Sequence, residues 1–350
     1  MKLILPVAGS STRYKGTRPK WMLTLPNGIL LIENSIAGFN LSSVNEIIII
    51  ALRKHIEEND FSEEYLINSF KNKFSIKTSI YLLDNPTISQ PMTVAKYLLS
   101  INDDFPFYIK DCDNSFNDEP QPKNEVAYTS LDDFEIVSAK NKSYIKINHF
   151  DEVVQIQEKE VISDTFCVGG YTFDSSKSFL KTFDELDGNK NNDLYISHLI
   201  HKQILEGKRF FSKKVKNYID YGTSNEFFLE TRKTMTIFSD FDGVLVKNSS
   251  KFSNKPWKYE ALHKNIDSLK LHLSKSISSC LIITTSRPKS EKNNIIQFCK
   301  SHNLDVKEVI TDLPHCKRYL VNDFSNSNPF PSAVAINLPR NSETIESYIS

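Results

Sequence analysis

The chain has 350 residues, 39% hydrophobic and 25% charged, with Lys+Arg and Asp+Glu balanced at 43 each. That length leaves room for two domains, and that composition is ordinary for globular protein, which excludes disorder as the default. A formal net charge of zero removes the broad field that would recommend nucleic acid or an anionic membrane as partner, so any anion site must be local.

No apolar run approaches the ~20 residues that span a bilayer. The five cysteines, at 112, 167, 280, 299 and 316, lack the paired spacing of zinc ligands, and no hydrophobic leader opens the sequence. The expectation is reduced thiols in a cytoplasm.

In chain order, LILPVA (3–8), EIIIIAL (46–52), IKTSIYLL (76–83) and FYIKD (107–111) are short β-branched or aromatic runs that predict strands. Between them LLIENSIAGF, EEYLINSFK and MTVAKYLLSI carry helical apolar spacing. This βαβα order predicts a parallel sheet with helices on both faces. SYIKINHFDEVVQIQEKE and FCVGGYTFD read as further strands, and DLYISHLIHKQIL as helical. FFLETRK leads into a new strand, MTIFSD (235–240), and a second alternation through CLIITTS, NNIIQFCKSHN, YLVNDF, AVAINL and ETIESYI. The expected fold class is therefore α/β in two domains, 1–232 and 233–350.

The first strand empties into AGSSTRYKGTRPK, residues 8–20. In a parallel sheet, ligands gather beyond the carboxyl ends of the strands, and this loop lies there. Gly9 lets backbone approach a ligand, Ser10, Ser11 and Thr12 offer donors, and Arg13 and Lys20 supply positive charge, which together suit a triphosphate. A basic surface loop is the plain alternative. FYIKDCDNSF adds Asp111 and Asp113 where the fourth strand ends, hard oxygen ligands that suit Mg²⁺ bridging phosphates. YIDYGTSNEF adds Asp220 before Gly222 and Thr223.

The order basic glycine loop, DxD, Glu158-Lys159, GGYTF and IDYGT resembles the sugar nucleotidyltransferases of the GT-A-like fold, over about residues 1–230. The resemblance implies a mixed, mostly parallel sheet. It also implies that Ala8, Gly9, Ser10, Ser11, Thr12 and Arg13 wrap a nucleoside triphosphate, and that Lys20 meets the α-phosphate or the sugar phosphate. Asp111 and Asp220 would hold Mg²⁺, with Asp113 beside them. Ser11 replaces the family's second glycine, Lys110 stands where a glycine precedes the aspartate, and Glu160 replaces the proline after Glu158-Lys159. TRPKW is similar to the RPK of cytidylyltransferases for polyol and erythritol phosphates, which favours CTP.

IFSDFDGVLVKN opens the second half and resembles the DxDGT/VL motif of the haloacid dehalogenase (HAD) superfamily, a Rossmann-like fold, here without a large cap. The resemblance makes Asp240 a nucleophile that forms an aspartyl-phosphate and Asp242 the general acid. Thr285 would bind the phosphoryl group, Lys317 would balance charge, and Asp323 would complete a Mg²⁺ site with Asp240 and Asp242. A DFDG retained as scaffold in an inactive domain is the plain alternative. His198, His315, Trp21 and Trp257 are read as packing or surface residues, and PNG (26–28) as a turn.

The whole is read as a bifunctional enzyme. Its first domain would transfer a nucleoside monophosphate from NTP to a sugar or polyol phosphate with release of pyrophosphate. Its second would be a Mg²⁺-dependent phosphatase. No nucleic-acid or membrane partner is expected, and a homo-oligomer is left open. Synthesis of capsule or other surface-polysaccharide precursors follows only by fold-level analogy. The alternatives are a GT-A glycosyltransferase using a ready-made NDP-sugar, or a nucleotidyltransferase with a non-catalytic HAD docking or oligomerisation module.

Overall fold

The computed structural model describes residues 1–9, 17–134, 141–187, 194–250, 252, 257–276, 278–323 and 333–349. Its contacts divide the chain into two units, one of residues 1–25 and 29–224 and one of residues 26–28 and 225–350.

In the first unit the strands are β1 (Lys2–Pro6), β2 (Glu46–Leu52), β3 (Lys77–Leu83), β4 (Phe107–Lys110), β5 (Asn114–Asn117), β6 (Glu125–Ser130), β7 (Ser143–Ile147), β8 (Val153–Glu158), β9 (Thr165–Phe173), β10 (Phe211–Lys214) and β11 (Lys216–Asp220). Its helices are α1 (Leu31–Asn34), α2 (Arg53–Glu58), α3 (Glu63–Phe74), α4 (Gln90–Ile101), α5 (Ser176–Asp187) and α6 (Ile196–Leu205), and α7 (Ser224–Thr231) begins at the boundary between the units. A nine-stranded sheet runs β10-β6-β9-β4-β1-β2-β3, with β7 joining β9 and β8 joining β7. Pairings β4-β1, β1-β2, β2-β3 and β10-β6 are parallel, while β9 is antiparallel to β4, β6 and β7. The expected mixed α/β sheet with a parallel centre is what forms.

The central strands are continuous apolar runs because both faces are covered. On β2, Ile47, Ile49 and Ala51 face one cluster with Leu66 and Phe70 of α3, while Ile48, Ile50 and Leu52 face the other with Val94 and Leu98 of α4. Each such side chain, removed from water, contributes roughly 1.5–3 kcal/mol. α4 starts at a Ser89 cap whose Oγ accepts from the Met92 amide, with proline in the first turn. The expected helix LLIENSIAGF shortens to α1 and then turns. A Cβ on Gly38 would lie 2.9 Å from the Phe116 carbonyl oxygen, so that segment is pressed against another chain segment where only glycine fits.

The second unit has a three-stranded parallel sheet, β12 (Thr236–Asp240), β13 (Cys280–Thr284) and β14 (Glu308–Ile310), in that order, with α8 (His263–Ser274) and α9 (Lys292–Ser301). Phe241, Leu245, Ile266, Leu281, Ile283, Ile295 and Phe298 form its core. Two expected strands do not form among the described residues. Tyr319, Leu320 and Val321 of YLVNDF are 79%, 56% and 88% exposed, and Val334 of AVAINL is 78% exposed, without ladder partners. β-branched composition alone does not make a strand where no neighbour accepts its backbone. ETIESYI contributes one short 3-10 turn, Ile345–Ser347, with Ile345 packed in the core.

Candidate functional site

β4 ends at Lys110, and the next turn carries Asp111 and Asp113. Lys110 stands where the resemblance has glycine, and the structure gives it a role. Its side chain is fully buried and its ammonium donates to Asn114 Oδ1 at 2.6 Å, to the Asn114 carbonyl at 3.0 Å and to the Asp111 carbonyl. All three N–H bonds of the ammonium are thereby used to hold the turn closed. Burial still pulls its pKa down to about 8.

Asp111 lies over the backbone of β9. Its amide donates to the Gly169 carbonyl at 2.7 Å. Gly169 has φ +77, and a Cβ there would fall 2.5 Å from Asp111 Cγ and 2.6 Å from Asp111 Cβ. At Gly170 a Cβ would fall 2.9 Å from Ala127 Cβ and from Phe116 Cζ. Gly169 is therefore the clearance that lets the aspartate turn sit on the sheet, and Gly170 the clearance for the side chains of Ala127 and Phe116. Burial, then the neighbouring Asp113, pushes the Asp111 carboxyl up to about 6.

The other two carboxylates arrive on a ribbon in which β5 and β11 are antiparallel, with Asp220 opposite Asn114. The Tyr221 amide donates to the Asp113 carbonyl at 2.8 Å, and Asp220 Oδ1 accepts from the Gly222 amide at 2.8 Å. Two lysines bracket this turn. Lys20 Nζ donates to Asp113 Oδ2 at 2.7 Å and to the Gly222 carbonyl at 3.3 Å. Lys142, the residue before β7, donates to Tyr218 Oη at 2.9 Å and forms an ion pair with Asp220. The Lys159 amide donates to the Lys142 carbonyl at 2.9 Å, which ties the Glu158-Lys159 end of β8 to the same corner. Glu158 accepts from Ser197 Oγ at 2.7 Å and from Ser143 Oγ, and Lys159 donates to Tyr195 Oη.

Lys20 is hydrogen-bonded to Asp113, Asp111 lies on the same turn as Asp113, and the β5-β11 ribbon brings the backbone of the Asp220 turn to that of Asp113. Ala8 is fully buried beneath, and Gly9 is exposed with open space around it. Ser10, Ser11, Thr12 and Arg13 lie outside the described residues. Two neighbours carried no signal as site residues in the sequence. Gln90, in the first turn of α4, donates to Asp111 Oδ1, and Lys142 precedes an otherwise ordinary strand.

Among the described residues no three His, Cys, Asp or Glu side chains form a cluster that could hold a metal ion. The donor chemistry nonetheless fits a hard divalent cation. Asp111 receives a neutral amide from Gln90, and Asp113 and Asp220 receive ammonium groups, so the donors are carboxylate oxygens of the kind such a cation takes.

In the second unit Asp240 ends β12 opposite Thr284. Its Oδ1 accepts from the Phe241 amide at 2.9 Å, and Gly243, at φ +86, turns the chain away. The cation facing Asp240 is Arg318, Nη1 to Oδ1 3.7 Å, with the same nitrogen 3.2 Å from Thr284 Oγ1. Lys317, expected to balance charge here, is exposed and lies 5.6 Å from the centre of the Tyr319 ring. Burial raises the Asp240 carboxyl pKa, and Arg318 acts against that rise.

Asp242 is held by a residue the sequence reading passed over. Arg287 Nε and Nη2 each donate to it at 2.8 Å. Arg287 is fully buried among the rings of Phe241, Trp257 and Tyr259, 4.6 to 4.9 Å away. Thr285 is buried, and its Oγ1 accepts from the Arg287 amide at 3.1 Å. Asp323 is exposed. Asp240, Asp242 and Thr285 are brought to one end of the small sheet.

The chain is similar in structure to a nucleoside-diphosphate-sugar pyrophosphorylase from Vibrio cholerae RC9, at 20% identity and a TM-score of 0.54, over 65% of this chain and 98% of that one. It is also similar to apo-UDP-glucose pyrophosphorylase, at 17% identity and a TM-score of 0.50, over 66% of this chain and 96% of that one. At these identities the likeness establishes a shared fold. No protein-family model and no curated protein matches the sequence.

Proposed function

We propose that the first unit is a nucleotidyltransferase that moves a nucleoside monophosphate, CMP by preference, from NTP to a sugar or polyol phosphate with release of pyrophosphate. The observation that supports this reading is the pair of hydrogen bonds from Lys20 to Asp113 Oδ2 and to the Gly222 carbonyl, which tie the basic loop to the DxD turn and to the turn that follows Asp220. The shared fold with two sugar-nucleotide pyrophosphorylases supports it, and TRPKW supports the preference for CTP.

In this reading an acceptor phosphate oxygen attacks the α-phosphorus in line, the bond to the β-phosphate oxygen breaks, and pyrophosphate leaves. No side-chain nucleophile is needed, so rate comes from positioning and charge. Lys20, released from Asp113, would bind the phosphate under attack. Asp111 and Asp220, with Asp113 beside them, would hold Mg²⁺, which supplies neutralisation of phosphate charge. Gln90 orients the Asp111 carboxylate through its amide.

For the second unit we propose phosphomonoester hydrolysis through Asp240, supported by its place at a strand end with Thr284, Thr285 and Arg318 nearby. Asp242 would have to loosen its hold on Arg287 to donate a proton. A screen of four NTPs against sugar and polyol phosphates, read by pyrophosphate, tests the first activity. A phosphomonoester panel with Mg²⁺ tests the second. Pyrophosphate from no pair, or with an NDP-sugar the release of nucleoside diphosphate and glycosyl transfer, overturns the first reading.

A further inference from the structure

The ammonium of Lys142 sits on the carboxylate that the proposed chemistry needs for a metal ion. We propose that Lys142 is a positioning residue that serves as a built-in counter-cation for Asp220, competing with the divalent ion for that carboxylate and so weakening metal binding until nucleotide arrives. This deepens the proposed nucleotidyl transfer and rests on that reading for its biological sense.

Four observations carry it. Lys142 pairs with Asp220 and also donates to Tyr218 Oη, so both of its located partners lie on β11, the strand that delivers Asp220. Its side chain is 14% exposed and lies 5.5 Å from the Tyr218 ring centre and 5.6 Å from that of Phe166, a setting that holds an ammonium in one place. The other oxygen of Asp220 is already committed to the Gly222 amide at 2.8 Å. The Asp220 carboxylate is thus engaged on both oxygens, and a cation can join it only by moving Lys142 or by accepting a fixed positive charge alongside. The Asp111 carboxylate, by contrast, receives a neutral amide from Gln90 and, among the described residues, no ammonium group in hydrogen-bond contact.

An incoming triphosphate changes this balance, because its oxygens offer Lys142 a second anionic partner within reach of the same corner. The lysine then moves from opposing the metal ion to holding the phosphates, and metal and nucleotide bind with positive coupling.

The test uses the full chain without nucleotide and reads Mn²⁺ binding by electron paramagnetic resonance at fixed pH. Lys142→Met should bind Mn²⁺ about tenfold tighter than wild type, the order expected for losing one charged competitor. Lys142→Arg keeps the charge and should match wild type, and adding Asp220→Asn to Lys142→Met should abolish the gain. Mn²⁺ binding to Lys142→Met that equals or falls below wild type, or is absent from both, overturns the proposal. Should Lys142→Met fail to fold, acetylation of Lys142 in the wild-type chain decides: Mg²⁺ should speed it, and an unchanged or slower rate overturns the proposal. A Mn²⁺ gain without pyrophosphate release from any substrate pair would leave the counter-cation standing and overturn nucleotidyl transfer. Pyrophosphate release without the gain would do the reverse.

Discussion

Lys20 is the side chain in which loop, DxD turn and second aspartate turn come together, so its removal should act on rate. Lys20→Ala should lose at least the ~10² in kcat expected of one electrostatic stabiliser while circular dichroism stays native; near-normal turnover would take Lys20 out of the mechanism. Gly169 tests the support beneath the site. A methyl group at φ +77, 2.5 Å from Asp111 Cγ, must push the aspartate turn off the sheet, and Gly169→Ala should lose about 1–3 kcal/mol by urea titration together with activity. Asp111 tests charge. Its carboxyl, held at about 6 against an ordinary 3.8, keeps a proton between those values that the unfolded chain has released. Stability of the metal-free protein therefore falls as pH rises across that interval, and the penalty is complete at neutral pH. Melts in chelator should show Asp111→Asn gaining on wild type from about pH 4 to pH 7; parallel curves would mean the carboxyl is not strained. The residues found by sequence were those with a motif around them. Lys142, Gln90, Arg287 and Arg318 act through tertiary placement, and a lone lysine before a strand or an arginine beside another cation leaves no pattern in one chain.

At the scale of elements, the central strands were legible because burial on both faces writes an unbroken β-branched run, and β2 matches the EIIIIAL segment end to end. α5 and β6 escaped the reading: in α5 the apolar residues are diluted by polar ones, and in β6 polar Glu125 and Thr129 are buried among the apolar residues. The short β5-β11 ribbon that carries Asp220 gave no signal either, since NSFN and KNYID are mostly polar. YLVNDF failed in the opposite sense, apolar in sequence yet forming no strand over its described residues 319–323. In the second unit, cohesion comes instead from a buried asparagine. Asn265 on α8 donates to the Val244 and Ser342 carbonyls at 2.8 Å each and accepts from the Ile345 amide at 3.2 Å, joining helix, DFDG loop and C-terminal segment. Asn265→Ala leaves those groups without partners in the core and should cost roughly 2–3 kcal/mol. Denaturation followed by Trp257 fluorescence in a Trp21→Phe background reads this unit alone, and an unshifted midpoint would show that the tail is not held this way.

For the whole molecule, the two units have separate cores, with Asp111, Asp113 and Asp220 in one unit and Asp240 and Asp242 in the other. Asp240→Asn should therefore abolish phosphomonoester hydrolysis and leave pyrophosphate release at its wild-type rate; loss of both with the fold intact would mean coupled sites. The central claim is that the bond broken is the one between the α- and β-phosphates of an NTP and that the acceptor is a phosphorylated sugar or polyol. Position-labelled CTP tests this most directly, with Asp240→Asn protein used to silence the second unit. The α-label should pass into a phosphatase-resistant nucleotide joined to the acceptor, and the γ-label should leave in pyrophosphate. A γ-label found on the acceptor, or an α-label recovered only as free nucleotide, would contradict the account.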